Sequence, residues 1–515
     1  PPTHKPAVRS ERPLTFEGPL APLWLGLRAG NYADVVRQAD RLAPTLKTPL
    51  LRQQAEALAA SALRQSGQLA QAEKRLHDTI AREASKPAGA ALDARLELGL
   101  CLRQRGERAA ERAVWNGFFD YHDAGALDMK DPHVLRLLGV AARYLGSYHD
   151  ANDTLRDAAL AARERKDAAE LSRINVDWAE LFLEKYRSDN AEESLAEALS
   201  VDPESPDVHA LMARVAMERS NRVADAEEHI AKALRVHPRH PLALALRAEA
   251  AVDGERYEDA LPISATLLTQ NPTDLLARSV RAAALYLLDR SRDFAAEQAT
   301  VLGQHSTYTA FHRYVAERLV IQHRYDEAVA LLEKAIALYP KDYYALADLG
   351  SGYLRLGQDE KGLDALRRAW KGDKFNRRSK NLLDLFEKTL EGKYTVLSLD
   401  ISGKPADKGK GGLRLRIAKA EQPLLLPLLL PMIQTEWTDL TTRYGFTPQL
   451  PLTLELFSDP DDYAIRTVGL PGLAALGVTF GRVVTGRSPS GGDFNWGLMI
   501  WHELSHVFAI QLSKS

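Results

Sequence analysis

Two histidines near the C-terminal end of the chain are spaced so that they could hold a metal ion. His502 and His506 are four residues apart in the run His-Glu-Leu-Ser-His, and residues four apart on a helix lie on the same face. Their imidazole nitrogens are therefore candidate ligands of one tetrahedral zinc ion. Glu503 is adjacent to His502, where its carboxylate can take a proton from zinc-activated water and pass it to a leaving amine. The pattern predicts hydrolysis of a peptide bond.

A helix must carry this motif, and the sequence predicts one over 495–512. Its apolar residues lie on most sides, which indicates burial: Leu498, Met499, Ile500, Trp501, Leu504, Val507, Phe508 and Ile510. Burying imidazoles and a carboxylate on such a helix costs free energy unless they have a partner, and a metal ion is the natural partner. The alternative is an ordinary surface helix with two partly exposed histidines.

The third zinc ligand would distinguish the classes of site that share this motif. A metzincin needs glycine at position 509 and histidine at position 512, and Ala509 and Leu512 exclude that class. A gluzincin takes a glutamate from the following helix. We therefore expect the third ligand beyond Ser515.

The residues before the motif predict a small α+β domain at 391–515. Apolar and alternating segments predict strands at 393–400, 413–417, 452–457 and 477–484. The first two strands, joined by a polar loop at 403–412, are expected to form a hairpin. Helices are predicted at 423–444 and 459–467. Strands followed by the motif helix are typical of a separate α+β unit.

The rest of the chain shows an internal period. Prolines that follow helical segments stand at intervals of 35, 34 and 68 residues, the last being twice 34: Pro203, Pro238, Pro272 and Pro340. Small residues keep the same period: Ala191, Ala226, Ala260, Ala328 and Gly362. The period predicts two antiparallel helices per repeat, with the small residue allowing close approach and the proline ending the unit.

These repeats resemble the tetratricopeptide (TPR) family, whose period is 34 residues. The expected fold is mainly α: a TPR-type α-solenoid at 20–390, after an extended lead-in at 1–19, followed by the smaller zincin-like α+β domain. The resemblance implies a groove that docks a protein or peptide partner. A structural spacer without a specific ligand is the alternative.

The C-terminal segment resembles the peptidase-MA-like gluzincin domains that are fused to TPR arrays in bacteria. The resemblance rests on 444–446, 454–457, 466–471, 477–481 and 495–497, together with the His-Glu-Leu-Ser-His run. It implies a Zn²⁺ cofactor, with His502 and His506 as ligands and Glu503 as the catalytic base. It also implies a glutamate further along as third ligand. A substrate edge strand is implied beside the cleft, at Val478, Thr479, Phe480 and Gly481.

Bulk composition excludes several other classes of protein. The net charge is −2, with 67 basic and 69 acidic residues, which argues against a nucleic-acid binder. No apolar run is long enough to span a bilayer. The single cysteine, Cys101, excludes an internal disulfide and is expected in the core. The start at Pro1 and the absence of cysteine pairs fit an exported or a cytoplasmic bacterial protein, and we favour the exported one.

The leading hypothesis is a zinc metalloendopeptidase whose TPR array positions protein substrates. The alternative is a TPR scaffold or assembly protein whose peptidase-like domain is inactive. A zinc aminopeptidase is disfavoured because the glycine-rich segment at 491–495 matches the amine-binding motif of those enzymes poorly. The substrate and the oligomeric state do not follow from the sequence.

Overall fold

The computed structural model describes residues 14–83, 91–185, 187–218, 222–406 and 412–513. These residues are mainly helical, with one mixed sheet of five strands near the C-terminal end. The chain divides into two compact units, 1–311 and 312–515, called here the first and the second unit. Most of the predicted lead-in at 1–19 lies outside the described residues, and the domain boundaries drawn from the sequence stay a prediction.

Helices follow one another along the chain up to the first strand. They are α1 (Ala21–Arg28), α2 (Tyr32–Leu42), α3 (Pro49–Gln65), α4 (Leu69–Glu83), α5 (Leu92–Arg105), α6 (Arg108–Asp123), α7 (Pro132–Leu145), α8 (Tyr148–Arg165), α9 (Ala168–Glu184), α10 (Ser188–Val201), α11 (Pro206–Met217), α12 (Val223–Val236), α13 (Pro241–Asp253), α14 (Tyr257–Gln270), α15 (Leu275–Leu287), α16 (Ser291–Gln304), α17 (Ala310–Ile321), α18 (Tyr325–Leu338), α19 (Tyr343–Arg355), α20 (Asp359–Gly372), α21 (Arg377–Asp384) and α22 (Leu390–Lys393). Short 3₁₀ and π segments follow α2 and α21 respectively.

The periodic prolines end helices as predicted. Each stands directly after the residue that caps the second helix of a repeat: Asp202, His237, Asn271 and Tyr339. The ψ angles of these capping residues lie between 78° and 95°, because a following proline excludes the α-helical conformation. The prediction of one helical hairpin per period is confirmed.

The periodic small residues lie where paired helices approach most closely. A Cβ atom on Gly350 of α19 would lie 3.0 Å from the carbonyl oxygen of Gly362 of α20, and a Cβ on Gly362 would meet the oxygen of Gly350 at the same distance. Those two helices therefore need glycine at both positions. The alanines at the equivalent positions are buried as well, among them Ala191 and Ala260.

Charged groups that the first unit buries are paired between neighbouring helices. Glu170 of α9 is 2% exposed and binds the guanidinium of Arg136 in α7 at 2.6 Å and that of Arg173 at 2.6 Å. His133 lies between Asp93, at 2.9 Å, and Glu170, at 3.2 Å. Burial alone lowers the pKa of His133, but the two carboxylates outweigh it and raise the pKa to about 10. The imidazole is therefore held in its charged form.

The C-terminal sheet has the strand order β1-β2-β3-β5-β4. Its strands are β1 (Tyr394–Leu399), β2 (Leu413–Ala418), β3 (Leu452–Phe457), β4 (Gly477–Thr479) and β5 (Val483–Arg487). The three central strands are parallel, and each outer strand is antiparallel to its neighbour. The antiparallel pairing of β1 with β2 confirms the predicted hairpin, although 407–411 of its loop lies outside the described residues.

The helices of this region are α23 (Gln422–Tyr444), α24 (Pro460–Val468) and α25 (Trp496–Ser513). Helices α23 and α25 pack with the sheet in one apolar core, which includes Leu454, Val484 and Leu504. The prediction of a single strand at 477–484 is wrong. The segment is a tight hairpin, since the N–H of Phe480 donates to the carbonyl of Val483 at 2.7 Å and Gly481 takes a φ of 74°. We call residues 394–513 the sheet region.

Candidate metal and peptide site

The two predicted zinc ligands lie side by side on one exposed face of α25. The Nε2 atoms of His502 and His506 are 3.0 Å apart, and the ring planes are nearly perpendicular, at 87°. Two imidazoles bound to one tetrahedral zinc at about 2.0–2.1 Å hold their nitrogens roughly 3.3–3.4 Å apart. The pair therefore fits zinc after a shift of a few tenths of an ångström. No cluster of three metal-ligating side chains occurs among the residues that the structure describes.

The carboxylate of Glu503 contacts the sheet. Glu503 is 6% exposed, whereas its two histidine neighbours are exposed. The hydroxyl of Thr479 in β4 lies 2.8 Å from Oε2 of Glu503 and 2.9 Å from its carbonyl oxygen, so its single hydrogen can be donated to either acceptor. A carboxylate held by one hydroxyl keeps lone pairs for a second donor. Such a group is suited to accept a proton from a neighbouring water molecule.

Gly477 makes room for this carboxylate. A Cβ atom at position 477 would lie 2.6 Å from Cγ and 2.8 Å from Oε1 of Glu503, and 2.8 Å from the sulfur of Met499. A side chain at this position would displace Glu503. Gly477 is not among the site residues predicted from the sequence, although a glycine inside a strand often marks the close approach of another group.

The strand beside Glu503 is an open edge of the sheet. β4 stands last in the strand order and pairs only with β5 among the described strands. The N–H of Phe480 and the carbonyl of Leu476 bond to β5. Because bonding alternates along an antiparallel strand, the backbone groups of Gly477 and Thr479 face the open edge. An extended peptide can pair with those groups.

The four predicted substrate-strand residues have different positions in this hairpin. Val478 and Thr479 lie in β4, Phe480 packs its ring against Tyr325 at 5.7 Å between ring centroids, and Gly481 forms the turn. Thr479 is the one of the four whose backbone groups face the edge. The role of the four in substrate binding stays a prediction.

A hollow of about 400 Å³ adjoins the histidine face of α25. It is lined by Leu498, Trp501, His502 and Ser505 of α25 together with Leu440, Arg443 and Tyr444 of α23. Leu498 exposes 65% of its surface there. The exposed leucine and the partly buried tryptophan, next to the two histidines, offer an apolar contact for a substrate side chain.

Two repeat helices bring a further histidine to this region. His323 precedes α18 in a left-handed conformation, with a φ of 57°, and its Nδ1 lies 2.8 Å from the hydroxyl of Tyr325. Burial lowers the pKa of His323, and the positive charge of a protonated His506 lowers it further. His323 could not be predicted from the sequence motif, because it lies 179 residues before His502 in the chain.

Helix α23 buries an acid without a counter-charge. Glu436 is fully buried, and neither of its carboxyl oxygens has a hydrogen-bond partner within the described residues. Burial, followed by the nearby carboxylate of Asp439, raises the pKa of Glu436 to about 8. The group is therefore protonated at neutral pH.

The first unit has a cavity of its own, of about 610 Å³. Both apolar and charged side chains line it, including Trp24, Arg28, Arg173 and Asp202. The guanidinium of Arg28 binds the carboxylate of Asp202, and the guanidinium of Arg173 lies 4.7 Å from the centre of the Trp24 ring. A mixed lining of this kind suits a peptide, which carries both apolar and polar groups.

Comparison with protein families identifies repeats in both units. The family model described as tetratricopeptide repeat matches residues 182–250 and 319–384. These ranges include the hairpins α11–α12 and α19–α20. Comparison with curated proteins finds no match.

Several solved structures are similar in part. The crystal structure of yeast Tom70 is 13% identical, with a TM-score of 0.37 over 72% of this chain and 88% of that one. TTC0263, a thermophilic TPR protein of Thermus thermophilus, is 23% identical, with a TM-score of 0.30 over 36% and 99%. Pseudomonas aeruginosa pilF is 17% identical, with a TM-score of 0.28 over 40% and 93%.

No helix in the described part of the chain is both long and apolar enough to cross a membrane. The repeats found by the family model and the helical hairpins of the structure agree. The described residues are mainly helical, with TPR-like repeats in both units and a small C-terminal region built on a mixed five-stranded sheet. Repeats of this type are typical of protein-interaction scaffolds.

Proposed function

We propose that the chain docks protein or peptide partners through its TPR repeats and hydrolyses peptide bonds at a zinc site in the sheet region. One observation carries the proposal. Helix α25 presents His502 and His506 together on its exposed face, while Glu503 lies against the open edge strand β4. Two histidines that can ligate a metal ion, a positioned carboxylate and a free strand edge together support peptide hydrolysis.

Each group has a distinct role in this proposal. His502 and His506 would hold the zinc ion, which supplies a Lewis acid that activates water. Glu503 accepts the proton of that water, and Thr479 keeps the carboxylate in one orientation. The outward backbone groups of Gly477 and Thr479 align an extended peptide beside Glu503. The hollow next to His502 receives an apolar side chain of that peptide.

A second candidate is a scaffold whose peptidase-like region is inactive. Two observations favour it. The family comparison matches the repeats alone, and the described residues supply two clustered metal ligands instead of three. In that case the sheet region is a binding module, and the open edge of β4 would hold a peptide without cleaving it.

The two candidates are separated by measuring metal content and cleavage together. The full-length gene product, E503Q and the control E360Q are purified, their zinc is counted, and hydrolysis of a labelled protein substrate is followed. Glu360 is an exposed acid in the first turn of α20. We expect about one zinc per chain in all three, and a roughly 10²–10⁴-fold loss of cleavage in E503Q alone. Equal cleavage by E503Q would refute Glu503 as the base. Zinc-free protein without activity would favour the scaffold.

A further inference from the structure

An arginine at the end of a repeat helix lies beside the candidate substrate strand. Arg355 is the last residue of α19, and its guanidinium carbon is 5.7 Å from the centre of the Phe480 ring. The turn after Arg355 is tightly apposed to the sheet, since a Cβ on Gly357 would lie 3.3 Å from a methyl carbon of Val483. The repeat thus fixes Arg355 next to the β4–β5 hairpin.

Arg355 differs from the neighbouring arginines in its lack of a counter-charge. Arg313 binds Asp348 at 2.9 Å, and Arg466 binds Glu455 at 2.6 Å. Arg355 has neither a hydrogen bond nor an ion pair with any residue that the structure describes. A half-buried cation without an anion is costly, and an added carboxylate would relieve that cost.

The groups around Arg355 also affect its pKa. Burial lowers the pKa of Arg355 to about 10, and the positive charges of Arg378 and Arg466 act in the same direction. Tyr325 and Asp348 act in the opposite direction and only partly offset the effect of burial. The net lowering of the pKa means that an anionic ligand would stabilise the charged form of Arg355.

The alternation of side chains along a strand shows which part of a peptide would reach Arg355. Thr479 faces α25, where it bonds to Glu503, so Val478 and Phe480 face the opposite side of the sheet. Both pack there with Tyr325 and Leu356 of the repeat turns. A peptide paired with the edge of β4 places every second side chain on that same side, where Arg355 lies.

We propose that Arg355 selects extended peptides that carry an acidic side chain on the Phe480 side of the edge strand. The planar guanidinium can bind a carboxylate through two parallel hydrogen bonds while its face rests on the Phe480 ring. This inference rests on the proposed function, because it uses β4 as the substrate strand. It makes the last repeats part of the cleft as well as part of the scaffold.

Peptide binding tests the inference without any need for cleavage. Full-length E503Q is titrated with labelled peptides of about ten residues, each with one glutamate at a different position, and with glutamine twins of each. Fluorescence anisotropy gives the Kd values. For one position of the glutamate, we expect the glutamate peptide to bind about tenfold more tightly than its glutamine twin. The E503Q/R355Q protein should reduce that ratio to below about twofold.

The matched control is E503Q/R367Q, because Arg367 lies on α20 and already binds Glu387 at 2.7 Å. It should keep the full preference. R355K retains the charge without the planar fork and should lose most of the preference, so it provides the same test if R355Q does not fold. Equal binding of each pair of twins to E503Q would overturn the role of Arg355 and leave edge-strand docking standing. Absence of binding by every peptide would overturn both.

Discussion

The first unit and the sheet region differ in how completely their buried charges are paired, although the sheet region also pairs buried Glu455 with Arg466. In the first unit, Glu170 of α9 pairs with Arg136 and His133 of α7 across a helix interface, and with Arg173 on its own helix. In the sheet region and the repeats beside it, Glu436 is buried without a partner and Arg355 has no counter-ion among the described residues. Paired charges specify how helices stack, whereas unpaired ones mark positions that stability alone does not explain.

The largest expected effect concerns the paired charges. E170A leaves the buried cations of Arg136 and His133 with less compensation, and we expect it to lower the free energy of unfolding by about 3–5 kcal/mol. Denaturant unfolding of the full chain, followed by circular dichroism, measures this loss. The control E228Q changes an exposed acid that pairs with Lys232 on the same helix, and its unfolding curve should stay close to that of the wild type. A similar small loss for E170A would contradict the comparison.

The next effect concerns the glycine that accommodates Glu503. G477A places a methyl group within 2.6 Å of the Glu503 side chain, so we expect a destabilisation of about 1–3 kcal/mol. If the proposed function holds, cleavage should fall with zinc content unchanged. Melting curves and zinc analysis check both parts. G392A is the control, since a Cβ there meets no atom within 4 Å. An active and stable G477A protein would show that Glu503 does not need its observed position.

A pH-dependent effect follows from Glu436. Its folded pKa of about 8 lies above the ordinary value of 4.5. At a pH between 4.5 and about 8, Glu436 keeps its proton in the native state, whereas in the unfolded chain it has released it. Stability should therefore fall as the pH rises through that window, by about 1.4 kcal/mol per unit.

The substitution E436Q removes this dependence. The melting temperature of E436Q should exceed that of the wild type by a margin that grows from pH 5 to pH 8. The control E360Q, at an exposed site, should follow the wild type at every pH. Parallel curves for E436Q and the wild type would show that Glu436 is ionised in the folded protein.

The smallest effect concerns the hydroxyl that orients Glu503. T479V removes the hydrogen bond to the carboxylate at nearly constant volume, and we expect a loss of about 1 kcal/mol in stability. T442V is its match, because Thr442 is exposed and, among the described contacts, its hydroxyl bonds only to the carbonyl of Thr438 on the same helix. A larger loss in T442V than in T479V would contradict the assignment.

The same contrast explains what could be predicted from the sequence. The helical hairpins followed from the period, because each repeat meets the same steric requirements at Pro203, Pro238 and their equivalents. The register of His502 and His506 followed from the helical pitch alone. Gly477, His323 and Arg355 could not be found, since their neighbours in space are distant in the chain. Local patterns carry no information about such contacts.

The central claim is that the two imidazoles of α25 bind a zinc ion, and zinc titration of the full-length protein tests it most directly. Competition with a chromophoric chelator gives stoichiometry and affinity for the wild type, H502A, H506A and E503Q. We predict one tight zinc per chain in the wild type and in E503Q. Removing either of two direct ligands should weaken binding by several orders of magnitude, so H502A and H506A should lose the site. Equal zinc binding by the wild type and both histidine variants would contradict the account.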